Sequence, residues 1–195
     1  LALALIAAYL RGRPGPLAGR LPALGLAVLW AWSGGVYHMV FFAPYNFASP
    51  AYGALFLLQA GLLFWFGVRH ADLAPPPPEA RDGWAWAGLG LALAAVVAYP
   101  LIEVLDGRAV ENFAWVGATA CPTAVLTLGL MTARVGPARW PLMVVPLAWG
   151  LACGAGAWVL GLPEGWLGVL AAALAIAAPI ARHRKRKPRR NGVSA

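Results

Sequence analysis

Residues 140–160 read WPLMVVPLAWGLACGAGAWVL, 21 residues in a row without a charged side chain. A helix rises 1.5 Å per residue, so this stretch matches a hydrocarbon core about 30 Å thick. Arg134 and Arg139 precede it and Glu164 follows. The same pattern recurs on both sides. Complete spans are drawn at about 21–43, 51–68, 83–104, 117–133, 140–160 and 165–181. Leu1 to Leu10 (LALALIAAYL) is too short to span and is read as a truncated first span, stopped by Arg11, Arg13 and Arg20. In lipid a chain must satisfy its backbone groups internally, so the spans are expected to be helices. None alternates as a barrel strand does. The predicted fold is an all-α integral membrane bundle of about six complete transmembrane helices plus a partial first one. Residues 1–20 form the partial span and a basic loop, 21–181 the bundle, and 182–195 a basic tail.

Composition agrees. Of 195 residues 61% are apolar and 11% charged, against roughly a quarter charged in an average soluble domain. Mean hydropathy is +0.70. These values exclude a soluble globular domain and a disordered chain, and two cysteines exclude a disulfide scaffold. The net charge of +8 suggests nucleic acid at first sight. The basic run RHRKRKPRR, however, has no interleaved aromatics and no folded platform, so no nucleic-acid partner is expected. The chain shows no internal repeat of the kind that marks inverted-repeat transporters.

Alternate connections carry the basic residues: Arg11, Arg13 and Arg20; Arg69 and Arg81; Arg134 and Arg139; then the tail from Arg182. The other connections hold Arg108 with Glu103, Asp106, Glu111 and Glu164. Lys and Arg mark the cytoplasmic face, which predicts a bacterial inner-membrane protein with its carboxyl terminus in the cytoplasm. Seven tryptophans fall at span ends, as the headgroup belt favours. Trp30, Trp32 and Trp149 lie deeper and are expected to pack between helices. The run Pro75–Pro78 reads as a stiff polyproline spacer. Gly150 and Gly154 give a small-xxx-small stripe that allows close helix approach, within the chain or in a homo-oligomer.

Polar residues inside spans are costly in lipid and should face the bundle or a cavity. His38, Glu103, Cys121 and Cys153 all lie toward the outer ends of their spans, and Tyr45 and Asn46 lie in the short loop beyond. Thr119, Thr123 and Thr127 recur every fourth residue and share one helix face. Cys121-Pro122-Thr123 opens a helix, where proline fits the first turn and the dipole lowers a thiol's pKa. That chemistry suits a metal ligand or a nucleophile. The plainer reading is a small apolar cysteine and threonines bonded to their own backbone. A metal site at Cys121, His38 and Cys153 is a weak candidate, because no CxxC, HxxxH or ExxH spacing is present. Cys121 and Cys153, at similar depth, can alternatively pair as a disulfide on an oxidising side.

Trp32-Ser-Gly-Gly-Val-Tyr-His38 and Phe42-Ala-Pro-Tyr-Asn46 resemble the first signature of an uncharacterised bacterial multi-pass membrane family, a domain-of-unknown-function family. Tyr99-Pro-Leu-Ile102, Ala120-Cys-Pro-Thr123 leading to Thr127-Leu-Gly129, and Val145-Pro-Leu-Ala-Trp149 resemble its later signatures, over roughly residues 20–175. The family typically has a Gly-His pair and a proline-rich stretch before Cys-Pro-Thr; here Gly107 is followed by Arg108. It also begins with a further segment. The resemblance implies a membrane bundle and carries no activity or cofactor.

Three functional readings follow. The first is an outward-facing polar pocket of His38, Asn46, Glu103, Cys121 and Thr123 that binds or passes a small solute or metal ion. The second is an accessory subunit packing against a membrane-complex partner through Gly150 and Gly154. The third is an enzyme with Cys121 as nucleophile and His38 as base.

Overall fold

The computed structural model describes residues 1–12, 15, 17–69, 73–134 and 140–186. Arg13, Arg139 and the tail beyond residue 186, which the sequence places in cytoplasmic basic segments, lie outside the described residues. Among the described residues every regular element is helical. Helix α1 is Ala2–Arg11. Helix α2 is Arg20–Phe42, π-wound over Ser33–Phe42. Helix α3 is Ser49–Val68. Then come α4 (Gly83–Val96), α5 (Ala98–Leu105), α6 (Ala120–Ala133), α7 (Trp140–Leu160) and α8 (Trp166–Arg186).

Among the described residues four segments are long and apolar enough to cross a membrane: α2, α3, α7 and Pro163–Lys185. The pair α4 and α5 makes a fifth if it counts as one span. The described residues do not confirm the expected count of about six, for two local reasons. Pro100 lacks an N–H, and its ring collides with the carbonyl four residues back. That carbonyl belongs to Val96, where α4 ends, and α5 leaves at 46°. The stretch 117–133 yields only the 14-residue α6. Gly117 sits at φ +84, a conformation that favours glycine and interrupts a helix. Helix α8 in turn runs past the expected boundary at 181 to Arg186.

Helix α6 is the central post. Every residue of it except Cys121 is buried, and it packs against α4, α7 and α8. The α4–α6 contact is backbone against backbone. A methyl on Gly88 would meet Gly129 O and Ala133 N, and one on Gly129 would meet Gly88 O and Ala92 N. Gly150 and Gly154, expected as a packing stripe, face Gly168 and Val169 of α8 in the same chain.

Polar side chains tie the post to its neighbours. Trp30 Nε1 donates to Thr127 Oγ1 at 2.8 Å, and Ser33 Oγ donates to Gly117 O at 2.8 Å. Thr123, Thr127 and Thr132 each return a hydrogen bond to the carbonyl four residues back. Trp30 is fully buried as expected, but Trp32 is 57% exposed on the bundle surface rather than packed between helices.

The two ends of the bundle differ in charge. At the basic end, Arg182 makes two hydrogen bonds to Asp82, at 2.8 and 2.7 Å, and donates to the carbonyls of Thr132 and Arg134. Asp82 also caps α4 by accepting from Ala85 N at 2.8 Å. The Arg182 hydrogen bond, more than any other contact, holds the Asp82 carboxyl down at a pKa of about 2. Arg81 donates to the carbonyls of Tyr9 and Leu10 at the end of α1. The opposite, acidic end is closed by the connections 43–48, 106–119 and 161–165.

Candidate functional site

A cavity of about 280 Å³ opens at the acidic end, over the first turn of α6. Its wall includes His38, Glu103 and Cys121, three of the residues that the depth argument grouped, together with Arg108, Glu164 and Trp149. Asn46 and Thr123 do not line it. Asn46 Oδ1 accepts from Ala48 N at 2.9 Å and shapes the turn before α3. Thr123 Oγ1 accepts from Gly117 N at 2.7 Å and donates to Thr119 O at 2.6 Å. The two backbone groups use the hydroxyl that the polar-pocket reading had assigned to a solute.

The bend at Val96 turns α5 so that Tyr99 and Glu103 reach the cavity. The Glu103 side chain is 0% exposed. Both its oxygens accept from Ala114 N, at 3.1 and 3.0 Å, and Oε1 also meets Arg108 Nη1 at 3.1 Å. Glu164, 3% exposed, takes Arg108 in two contacts of 2.8 Å. Asp106, 40% exposed, receives Arg108 Nη2 at 3.2 Å. One guanidinium therefore holds three carboxylates. The hydrogen bond to Glu164 is the largest influence raising the Arg108 pKa above its ordinary value.

His38 is 1% exposed and sits where the π-wound half of α2 faces α3 and α7. Ser49 Oγ donates its single proton to His38 O at 2.8 Å. The 3.2 Å contact between Ser49 Oγ and His38 Nδ1 then requires the proton to lie on Nδ1. In the neutral ring Nε2 is left with a bare lone pair, and it meets no partner within the protein. Around the imidazole stand Phe56, Trp149 and Tyr52, edge to face, with centroids 4.8, 5.3 and 5.9 Å away.

Cys121 and Cys153 form a disulfide between α6 and α7, with Cα atoms 5.9 Å apart. In this state neither sulfur is the thiolate that a nucleophile or a soft-metal ligand must be, which removes the chemistry of the Cys121 enzyme and Cys121–His38–Cys153 metal readings. Among the described residues no three His, Cys, Asp or Glu side chains gather to hold a metal ion.

Fold and site together define an all-helical bundle with helices of membrane-crossing length and, at one end, a cavity whose wall joins aromatic rings to Glu103, Arg108 and Glu164. The chain belongs to a family of unknown function, DUF6064, which matches residues 1–191. This agrees with the resemblance to an uncharacterised domain-of-unknown-function family. No curated protein and no solved structure matches the chain.

Proposed function

We propose that the chain is a multi-pass integral membrane protein whose acidic-end cavity binds a small solute. The observation that carries this reading is the burial of Glu103, Glu164 and His38 in the wall of one cavity. A bundle held together by apolar packing does not need them there, since buried charges rarely stabilise a fold better than apolar residues do. Such groups inside apolar helices mark solute or ion sites.

We orient the basic end toward the cytoplasm. Arg20, Arg69, Arg81, Arg134 and Arg182 lie on that side, in keeping with the bias of cytoplasmic connections. The disulfide lies toward the other end, and such bonds persist in oxidising compartments. A thermal-shift screen of small polar solutes on the purified protein tests the pocket. A stabilising solute is expected to lose its effect in a folded His38→Ala variant; retention of the full effect refutes the pocket. A carboxyl-terminal tag reachable from outside intact cells refutes the orientation.

A further inference from the structure

The cavity wall holds two carboxylates, Glu103 and Glu164, and one cation, which is spent on them. Arg108, its cation, is committed on both Nη atoms: Nη1 to Glu103 and Glu164, Nη2 to Glu164 and Asp106. The Ala114 N–H is committed to Glu103. Two wall carboxylates, Glu103 and Glu164, against one guanidinium leave a formal charge of −1 in the wall, to which the half-exposed Asp106 beside Arg108 adds from outside. The α6 N-terminus opposes it with about half a positive charge, too little to change the sign. A second observation is independent of that charge: the Nε2 lone pair of fully buried His38, a wall residue, has no donor. A third is the lining by Tyr37, Phe42, Tyr52, Tyr99 and Trp149, whose ring faces attract cations.

From these we infer that the cavity binds a small organic cation carrying N–H donors, a primary ammonium or a guanidinium. The inference rests on the pocket reading above. Buried excess charge calls for a counter-charge. Nε2 calls for a hydrogen-bond donor, and the rings call for a diffuse cation. A bare metal ion would need a set of ligands, and none is gathered among the described residues. The cavity of about 280 Å³ corresponds to about nine waters at roughly 30 Å³ each, hence a ligand of about nine non-hydrogen atoms.

Calorimetry on the protein in phosphatidylcholine nanodiscs, with empty nanodiscs subtracted, tests this with three probes of one shape: 2-phenylethylammonium, 2-phenylethanol and phenylacetate. The ammonium is expected to bind at least tenfold tighter than the alcohol, with phenylacetate weakest. Glu164→Gln is expected to weaken the ammonium about tenfold and leave the alcohol unchanged. If that variant does not fold, Asp106→Asn, half-exposed, serves instead with a smaller loss in the same direction. Alcohol or phenylacetate binding as tightly as the ammonium overturns the cation assignment and leaves the pocket standing. Binding of none of the three overturns the pocket itself.

Discussion

Replacing Arg108 by methionine removes the one cation between Glu103 and Glu164 while keeping an apolar stem of similar reach. The two carboxylates are 0% and 3% exposed, so neither can recover its charge balance from water. Removing one partner of a buried pair costs about 3–5 kcal/mol. Two facts place this case at the lower end. Arg108 is itself 22% exposed, and Glu103 keeps its Ala114 N–H. A loss of about 3 kcal/mol corresponds to roughly 6–12 °C in Tm for a chain of this size. The assay is thermal unfolding in one detergent, followed by tryptophan fluorescence. Adding Glu103→Gln and Glu164→Gln to Arg108→Met removes both orphaned charges and is expected to restore more than half of the loss. A drop below 1 °C in the single variant, or a triple variant no more stable than the single, would show that water reaches these carboxylates and would refute the reasoning.

Other outcomes follow from the packing. Gly88→Ala drives a methyl into the Gly129–Ala133 backbone and should cost about 1–3 kcal/mol in the same assay, whereas Gly90→Ala, with nothing within 4 Å, should be neutral or stabilising. Thr127→Val leaves the buried Trp30 N–H without its acceptor and should cost about 1–3 kcal/mol; Thr132→Val loses only a bond to its own helix and should cost less. Asp82 has a folded pKa of about 2, below its ordinary value of 3.8. Its contribution is therefore present in full above pH 4 and fades as pH falls toward 2; Asp82→Asn should flatten an unfolding-versus-pH profile in that window. A maleimide carrying a polymer should shift the protein on a gel only after reduction, since both cysteines are paired.

Depth within the apolar runs was enough to bring His38, Glu103 and Cys121 to one cavity, because hydropathy places helix ends and helix ends share a level. Asn46 and Thr123 share that level too, but nearby backbone donors claim their side chains. Local turn geometry of this kind leaves no trace in hydropathy. Arg108 and Glu164 read as loop charges; their meeting spans 56 residues of sequence and depends on helix packing. Trp149 read as a packing residue and also lines the cavity. The break at Val96 had a visible signal in Pro100. The shortness of α6 had one in Gly117, masked by the apolar residues around it.

That shortness has a consequence for what the cavity can be. Fourteen residues make α6 about 21 Å long, against a hydrocarbon layer of about 30 Å. Its C-terminus is pinned at the basic end, where Arg182 takes the carbonyls of Thr132 and Arg134. In the membrane orientation proposed above, the missing length falls under the acidic mouth, and the proposed solute would rest about a third of the way through the hydrocarbon layer. Below it stands a sealed column: Ala124, Val125, Leu126, Leu128 and Leu130 are all 0% exposed, and glycine backbones clamp the column against α4. In this state the recess is a blind alley, and on the proposed reading it would hold a solute rather than conduct it.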